Sequence, residues 1–212
     1  MTLSPRNSTW IISDTHFGHK NIIKFQQRPE THEEIMLSNW IERVGEDDVI
    51  LHLGDVFLGK DGNPLRWASI ISRMPGRKYL IPGNHDKQKR RLYEEVAGFQ
   101  VIRPFIHNGI AYTHRPISSD FPVFHDEWDS NDTLVDWFRL HDTVRDAKAR
   151  EGWHTNVHGH IHGNSLNWSA DLYDEPSPFA DKLYVNACVE VNDFAPIQLG
   201  NLLPKAIAGD HA

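Results

Sequence analysis

The chain lacks several features that would place it in common protein classes. It has one cysteine, Cys188, among 212 residues, so a disulfide within the chain is excluded and a reducing compartment is expected. No apolar run approaches the roughly 20 residues that cross a bilayer. Residues 1–8 show no charged-then-apolar signal pattern. The formal net charge of −7 argues against a nucleic-acid coat protein, which would carry excess positive charge. We therefore expect a cytoplasmic protein with no membrane segment and no bulk nucleic-acid binding.

The amino-acid composition is that of an ordinary globular protein, apart from a large number of histidines. A length of 212 residues and a hydrophobic content of 39% suit one domain spanning residues 1–212. No repeat or Gly/Ser-rich linker divides the chain. Histidine occurs 14 times, so a site rich in imidazole groups is the feature to look for.

Short apolar strands alternate with helices in the first half and dominate the second half. Strands are predicted at 9–13, 49–53, 78–81, 99–102, 110–113, 155–157, 183–189 and 197–202. Helices are predicted at 31–44, 64–74 and 132–150. In the first helix, Ile35, Trp40 and Ile41 are expected on one apolar side, and Thr31 with Glu34 can form a capping box. This order of elements predicts an α/β sandwich with a mixed sheet or two sheets.

Almost every predicted strand ends in a cluster of Asp, Asn or His. The clusters are Asp14-Thr15-His16, Gly54-Asp55, Gly83-Asn84-His85-Asp86, Thr113-His114 and Gly159-His160-Ile161-His162. Because ligands bind at the carboxyl ends of strands in open α/β sheets, we expect these side chains to converge on one edge. Side chains alternate along an extended strand, so His160 and His162 are expected on one side, as are Asp14 and His16.

The residue types in these clusters favour a transition metal. Carboxylate and amide oxygens mixed with imidazole nitrogens, without a nearby thiolate, suit Mn, Fe, Zn, Co or Ni better than Ca or Mg. Three Asp or Asn oxygens and four imidazoles from these clusters make seven ligands, which are too many for one tetrahedral site and suit two ions that share a carboxylate. Two ions about 3.5–4 Å apart form a known catalytic device for phosphoryl displacement. We expect two divalent ions, with manganese as the first candidate.

Taken together and in this order, the five clusters resemble the signature of the calcineurin-like metallophosphoesterase superfamily, D-x-H, G-D, G-N-H-D/E, H and G-H-x-H. The stretch at 14–23 and the turn His114-Arg115-Pro116-Ile117 also resemble small bacterial and phage phosphoesterases. The resemblance implies a four-layer α/β/β/α sandwich with two mixed sheets. It also implies a hydrolase in which a metal-activated hydroxide attacks phosphorus.

The resemblance further implies a role for each residue of the clusters. Asp14, His16 and His162 would hold the first ion, Asn84, His114 and His160 the second, and Asp55 would bridge both. His85 would face the substrate phosphate as general acid or transition-state stabiliser.

Several other positions keep two interpretations each. Asp86 either holds His85 in one tautomer, which would make it part of the catalytic pair, or caps a helix that begins near Lys87. His19 and Arg115 either bind the substrate or serve their loops. The remaining pairs of alternatives concern longer segments: residues 87–91 attract an anionic substrate or form a solvated face, and residues 118–129 form a lid or a surface loop.

Simple structural roles are expected for the other histidines and for the cysteine. Cys188 is interpreted as a small buried hydrophobe. His52 is expected to point away from the metals or to pack behind them. Structural roles are expected for His125, His141, His154 and His158.

The residues that follow Asp55 in the sequence indicate which substrates are excluded. The Ser/Thr phosphatase branch has Asp-Arg-Gly there, whereas this chain has Val56-Phe57-Leu58-Gly59, which argues against phosphoprotein substrates. We expect a phosphodiester of a small or nucleotide-like molecule, with a phosphomonoester or a pyrophosphate as the alternative, and we leave the oligomeric state open. A rival hypothesis is a non-catalytic interaction module on the same fold. Such a module should have lost ligands, yet every expected ligand type is present.

Overall fold

The structure is a computed structural model, and it describes residues 3–58, 62–117, 152–163 and 183–208. The strands in these ranges are β1 (Trp10–Ile12), β2 (Val49–His52), β3 (Arg77–Leu80), β4 (Phe99–Val101), β5 (Phe105–His107), β6 (Ile110–Tyr112), β7 (Thr155–His158), β8 (Leu183–Asn186) and β9 (Ile197–Gln198). The α-helices are α1 (Ile22–Phe25), α2 (His32–Arg43), α3 (Pro64–Ile71) and α4 (Leu199–Ala208). A π-helical segment covers Leu92–Val96, and a 3₁₀ turn covers Val189–Val191.

The strands form two mixed sheets, as predicted. The first has the order β4-β3-β2-β1-β9, and its strands are parallel except for β9. The second has the order β5-β6-β7-β8, and only β5 is antiparallel. In the first sheet Ile12 pairs with His52, and His52 pairs with Leu80. The parallel strands therefore end level with one another, and the loops that follow them leave at one edge.

The two sheets pack face to face over a core that follows the alternation of each strand. Its fully buried side chains come from both sheets: Ile11, Leu51, Leu53, Ile81, Tyr112, Val157 and Val185. The alternate residues Ile12, Ile50 and Leu80 point to the other face of the first sheet, where α2 and α3 cover them with Met36, Trp40, Trp67 and Ile71. Each such burial stabilises the fold by about 1.5–3 kcal/mol relative to exposure. Helix, sheet and sheet thus form three successive layers.

The far face of the second sheet carries a smaller apolar cluster that includes Ala111, Trp153 and Tyr184. The helix predicted at 132–150, which would add the fourth layer, lies outside the described residues, as does the segment 118–129. In the described ranges the longest α-helix has 12 residues, so none is long and apolar enough to cross a membrane.

Helix α2 differs from the prediction in the side that it buries. His32, Met36 and Trp40 are buried at four-residue spacing, whereas Ile41 is 56% exposed. The expected capping box is also wrong, because Thr31 makes no side-chain bond to the helix. Its φ of −89° and ψ of 12° differ from the extended conformation that normally lets a cap side chain reach the helix amides.

Two other boundaries were wrong. Helix α3 begins at Pro64 behind the cap residue Asn63, as proline at the first helical position favours, but it ends at Ile71, about one turn before residue 74. The strand predicted at 197–202 is only two residues long, and α4 begins at Leu199. Leu199 and Leu202 are both buried, and their three-residue spacing places them on one helical face against the core between the sheets.

Candidate metal centre

Five loops meet at the edge where the parallel strands end, and they form two neighbouring clusters of potential metal ligands. One cluster contains Asp14, His16 and His162, and the other contains Asp55, His114 and His160. Within each cluster the candidate ligand atoms lie within 4.8 Å of one another. The strand-end clusters therefore do converge, as predicted.

The backbone that places these side chains is not extended. Asp14, His16, Asp55, His160 and His162 all have φ between 50° and 72°. The prediction that alternation along a strand aligns His160 with His162 is therefore wrong, since β7 ends at residue 158. The two rings join neighbouring clusters, which agrees with the assignment of these histidines to different ions. Left-handed conformations are costly for residues other than glycine, although Asp, Asn and His are enriched in them. Such conformations gather at functional sites, and five of the ten described non-glycine cases lie here.

The two oxygens of the Asp14 carboxylate have different surroundings: Oδ2 is hydrogen-bonded to the protein, and Oδ1 faces the ligand nitrogens of the first cluster. Its Oδ2 accepts hydrogen bonds from Ser13 Oγ at 2.5 Å, from the His160 amide at 2.8 Å and from Cys188 Sγ at 3.3 Å. Among the described residues, its buried Oδ1 has no hydrogen-bond partner. That oxygen lies 3.8 Å from His16 Nε2 and 3.9 Å from His162 Nε2.

His16 completes the case for a cation in the first cluster. Within the described part of the chain, both of its buried ring nitrogens lack a hydrogen-bond partner. An unsatisfied buried polar atom costs about 1–3 kcal/mol, and more where charge is involved. A cation between Asp14 Oδ1 and the Nε2 atoms of His16 and His162 would satisfy that oxygen and one nitrogen of each ring, so these residues fit a divalent metal.

Asp55 lies between the two clusters. Its Oδ1 accepts the His85 amide at 2.7 Å. Its Oδ2 lies 3.5 Å from His16 Nε2 and 3.5 Å from His114 Nε2. One carboxylate oxygen thus faces ligand nitrogens of both clusters, which is the placement expected of a bridging ligand.

His114 is oriented by a main-chain carbonyl. Its Nδ1 lies 2.8 Å from the Leu53 carbonyl oxygen, which can only accept, so Nδ1 carries the proton and Nε2 presents a lone pair. Asn84 Oδ1 lies 3.0 Å from that Nε2. Two lone pairs facing each other at this distance fit a shared cation, so Asn84 adjoins the second cluster.

The electrostatics of the two carboxylates differ. Burial would raise the pKa of Asp14, but His16, His114 and His162 hold it well below its ordinary value. Burial and the neighbouring charges of Asp14 and Asp86 raise the pKa of Asp55 well above its ordinary value. Two carboxylates so close together are difficult to ionise at once, and a divalent cation between them would remove that conflict.

His85, His19 and Arg115 surround the clusters. The His85 ring lies 5.3 Å from the His16 ring, and the His19 ring lies 5.6 Å from the same ring. Burial and the neighbouring His16, Lys87 and His19 lower the pKa of His85 to about 4, so its imidazole is neutral at neutral pH. Burial lowers the pKa of Arg115, which is half-buried, and the Asp55 carboxylate opposes that change.

Asp86 ties the loops together rather than facing the site. Its carboxylate accepts the amides of Asp55 at 2.7 Å, Val56 at 3.0 Å and Gly83 at 2.8 Å. It is 1% exposed, so it is shielded from contact with a substrate. The helix-cap interpretation is wrong, because these amides precede Asp86 in the chain and the helical residues begin only at residue 90. The geometry favours a positioning role for Asp86 instead of the predicted place in the catalytic pair.

Sequence reasoning missed three contributors to the first cluster. Arg28 and Glu190 are joined by an ion pair, and Glu190 contacts His162. Cys188 is buried, as expected, but its thiol contacts Asp14, which the interpretation as a simple hydrophobe did not include. No local pattern marks Arg28 or Glu190. For Cys188, proximity to a buried strand end was the available signal.

The structure also places the remaining histidines. His52 lies behind the site, with Nε2 at 3.0 Å from Thr15 Oγ1 and Nδ1 accepting the Gly54 amide at 3.1 Å. His154 contacts Thr155 and His158 contacts Gly159 O, as structural roles predict. His125 and His141 lie outside the described residues.

Two of the basic residues in the segment 87–91, which follows His85, form ion pairs at the surface. Arg90 pairs with Glu94 and Arg91 with Glu95 on an exposed surface, which agrees with a solvated face. The steering role that was the alternative for residues 87–91 has no support from these contacts.

Residues 8–191 of the chain match the calcineurin-like phosphoesterase family. The chain belongs to that family. A curated relative, an uncharacterised protein of Methanocaldococcus jannaschii, is 31% identical to this calcineurin-like phosphoesterase over 204 residues, which cover 93% of this chain and 90% of that protein. The gene 66 protein of Mycobacterium phage L5 is 29% identical over 168 residues, 74% of this chain and 78% of that protein.

Among solved structures, a protein of unknown function from Aquifex aeolicus is similar to this phosphoesterase with a TM-score of 0.60 and 27% identity. The similarity covers 89% of this chain and 94% of that one. The family predicted from the five clusters is thus confirmed. Membership together with the two ligand clusters supports a metal-dependent phosphoesterase.

Proposed function

We propose that this single-domain protein hydrolyses a phosphodiester of a small or nucleotide-like molecule with the help of two divalent cations, manganese being the first candidate. The observation that carries the proposal is Asp55 Oδ2, which lies 3.5 Å from a ligand nitrogen of each cluster. Ions that share one carboxylate oxygen lie close enough to act on a single phosphoryl group.

The residues that would hold the cations divide by cluster. Asp14, His16 and His162 would hold the first, Asn84, His114 and His160 the second, and Asp55 both. When bound, divalent cations supply positive charge for the phosphoryl oxygens and make hydroxide available from water near neutral pH. The chain contributes the fixed positions of these ligands, set by the left-handed loops beneath them.

His85 is proposed as the residue that assists the leaving oxygen. With its pKa lowered to about 4, the ring is neutral near pH 7 and has one N–H to donate. A bound phosphate ester would raise that pKa, because negative charge nearby stabilises the protonated ring. His85 can therefore act as a hydrogen-bond donor at first and as a proton donor while charge develops on the leaving oxygen.

His19 and Arg115 are proposed to bind the substrate. His19 lies beside His16 on one side of the clusters, and Arg115 directly follows the ligand His114. Directly after Asp55, Val56 and Phe57 are buried in the core, so these two positions present no charged group to grip a phosphoprotein. A small substrate, a cytoplasmic location and no bulk nucleic-acid binding complete the proposal.

The test compares hydrolysis of bis-p-nitrophenyl phosphate and p-nitrophenyl phosphate in the presence of Mn²⁺. We expect faster turnover of the diester. Faster turnover of the monoester would select the alternative substrate class. If no ester is hydrolysed with Mn, Fe, Zn, Co or Ni, the non-catalytic module on the same fold becomes the better explanation.

The His85→Ala variant tests the assignment of that residue. We expect it to retain both metal ions and to lose activity by about 10²–10⁴-fold, the usual contribution of a positioned proton donor. His107→Ala is the matched control, because His107 lies on β5 and outside the ligand clusters. Full activity of His85→Ala would remove His85 from the chemistry.

A further inference from the structure

We propose that Arg28 and Glu190 form a buried positioning pair that fixes the tautomer of His162 and the main chain at Asp14 and Thr15, and thereby sets the metal affinity of the first cluster. The inference rests on the proposed function insofar as the first cluster binds a cation. It assigns a task to two residues that the sequence motifs do not contain.

Arg28 holds the main chain between two ligands. Its guanidinium donates through Nη1 to the Thr15 carbonyl at 2.8 Å and through Nη2 to the Asp14 carbonyl at 2.6 Å. Asp14 and His16, on either side of Thr15, both have left-handed backbones. A rigid, planar fork that grips two successive carbonyls stabilises this costly turn. Arg28 is 3% exposed, so water offers its guanidinium little competition.

Glu190 connects Arg28 to the ring of His162. Glu190 Oε1 accepts from Arg28 Nε at 2.9 Å and from Arg28 Nη2 at 2.5 Å. The same oxygen lies 2.8 Å from His162 Nδ1. Because this oxygen already accepts two N–H groups of Arg28, it acts as an acceptor towards the imidazole as well, so Nδ1 of His162 carries the proton. Nε2 is left as a lone pair towards Asp14 Oδ1, at 3.9 Å.

The pairing of charges matters as much as the hydrogen bonds. Arg28 alone would place a buried positive charge against the Asp14 main chain and repel a cation in the cluster. Glu190 cancels that charge and also makes the imidazole of His162 a stronger electron donor, as carboxylates behind metal-binding histidines do. The ion pair therefore serves metal binding although buried pairs add little stability by themselves.

Two ligands of the second cluster have main-chain partners instead of an ion pair. His114 is oriented by the neutral Leu53 carbonyl, and Asp55 Oδ1 accepts the His85 amide. Loss of the Arg28–Glu190 pair should consequently weaken one cation site and leave the other. A general loss of folding would weaken both.

The experiment titrates the metal-free full chain with Mn²⁺ by calorimetry. For Glu190→Gln we expect one of two binding steps to weaken by about 10–100-fold, the usual cost of losing such a partner, while the other step is unchanged. Glu94→Gln is the matched control, since it removes an exposed Arg–Glu pair at the surface. Equal weakening of both steps, or no weakening, would overturn the proposal.

A second readout needs no metal. Long-range ¹H–¹⁵N spectra of the metal-free protein should show His162 as the Nδ1–H tautomer in the wild type and as a mixture in Glu190→Gln. An unchanged tautomer overturns the positioning pair, whereas a wild type that binds no Mn²⁺ overturns the proposed function. If Glu190→Gln does not fold, Glu190→Asp keeps the charge and shortens the reach. It should then show the same one-step loss.

Discussion

The two ligand clusters are built from the same residue types but are supported in different ways. In the first, Arg28 and Glu190 place a buried ion pair behind the ligands, and Ser13 and Cys188 hold the Asp14 carboxylate. In the second, the partners that orient His114 and Asp55 are main-chain groups of neighbouring loops. A buried Arg–Glu ion pair lies behind one site, whereas main-chain groups orient the ligands of the other and the Asp86 carboxylate ties its loops together. The sites should therefore respond differently to substitution.

The largest effect is expected at the residue that the two clusters share. Asp55→Ala should lower the occupancy of both ions and reduce activity by about 10³-fold, because several kcal/mol of transition-state stabilisation depend on the metals. Metal analysis after dialysis measures this directly. Asp14→Ala is the comparison, and it should empty the first site more than the second. One ion fully retained in Asp55→Ala would contradict the bridging role.

Gly159→Ala is expected to damage the first cluster by crowding. A Cβ at residue 159 would overlap Ser13 Oγ and Asp14 Oδ2, so the carboxylate would have to move. We expect a loss of about 1–3 kcal/mol in the free energy of unfolding, the typical cost of overpacking, together with weaker binding at one Mn²⁺ step. Gly163→Ala is the control, since among the described residues its new Cβ would meet only Glu190 Cβ, at an ordinary contact distance of 3.9 Å. Equal stability of the two variants would disprove the close approach.

A smaller, graded effect is expected from His52, which contacts the loops of both clusters through Thr15 and Gly54. Burial lowers the pKa of His52 from 6.5 to about 3. Between these two pH values the unfolded chain binds more protons at this residue, so stability falls as the pH falls, by about 1.4 kcal/mol per pH unit. Above pH 6.5 the contribution is complete.

Urea unfolding at pH 7, 6 and 5, with a chelator present, measures that slope. His52→Gln should show a shallower loss of stability than the wild type over this range. Identical slopes would show that His52 is not the group responsible. His52 contacts the loops of both clusters. Protonation of His52 at low pH should therefore destabilise the two clusters equally, unlike the substitutions above that affect one cluster more than the other.

The candidate metal ligands could be predicted from the sequence, but the residues that hold those ligands in position could not. Asp14, Asp55 and His114 could be predicted because each directly follows a short apolar strand, and parallel strands end at a common edge. The pairing of Arg28 with Glu190 could not, because the two are 162 positions apart and share no local pattern.

Local backbone geometry was the second feature that could not be predicted from the sequence. His160 and His162 were expected on a strand, but left-handed turns send them to different clusters, and their tolerance for such turns was the only signal. Residues 199–202 were expected to continue a strand, although the edge strand pairs over two residues only and a helix covers the core better. Hydrophobic periodicity predicts helices and strands but does not predict the conformation of the turns that end them.

Each cluster draws its ligands from loops of both sheets: Asp14 and Asp55 follow strands of the first, and His162, His114 and His160 follow strands of the second. A cation in either cluster would therefore act as a cross-link between the two halves of the sandwich. In a chain whose single cysteine rules out an internal disulfide, such cross-links would be reversible, and withdrawing metal would leave the two sheets held by their shared apolar core. The stability added by the cross-links would then vary with the concentration of divalent metal in the surroundings.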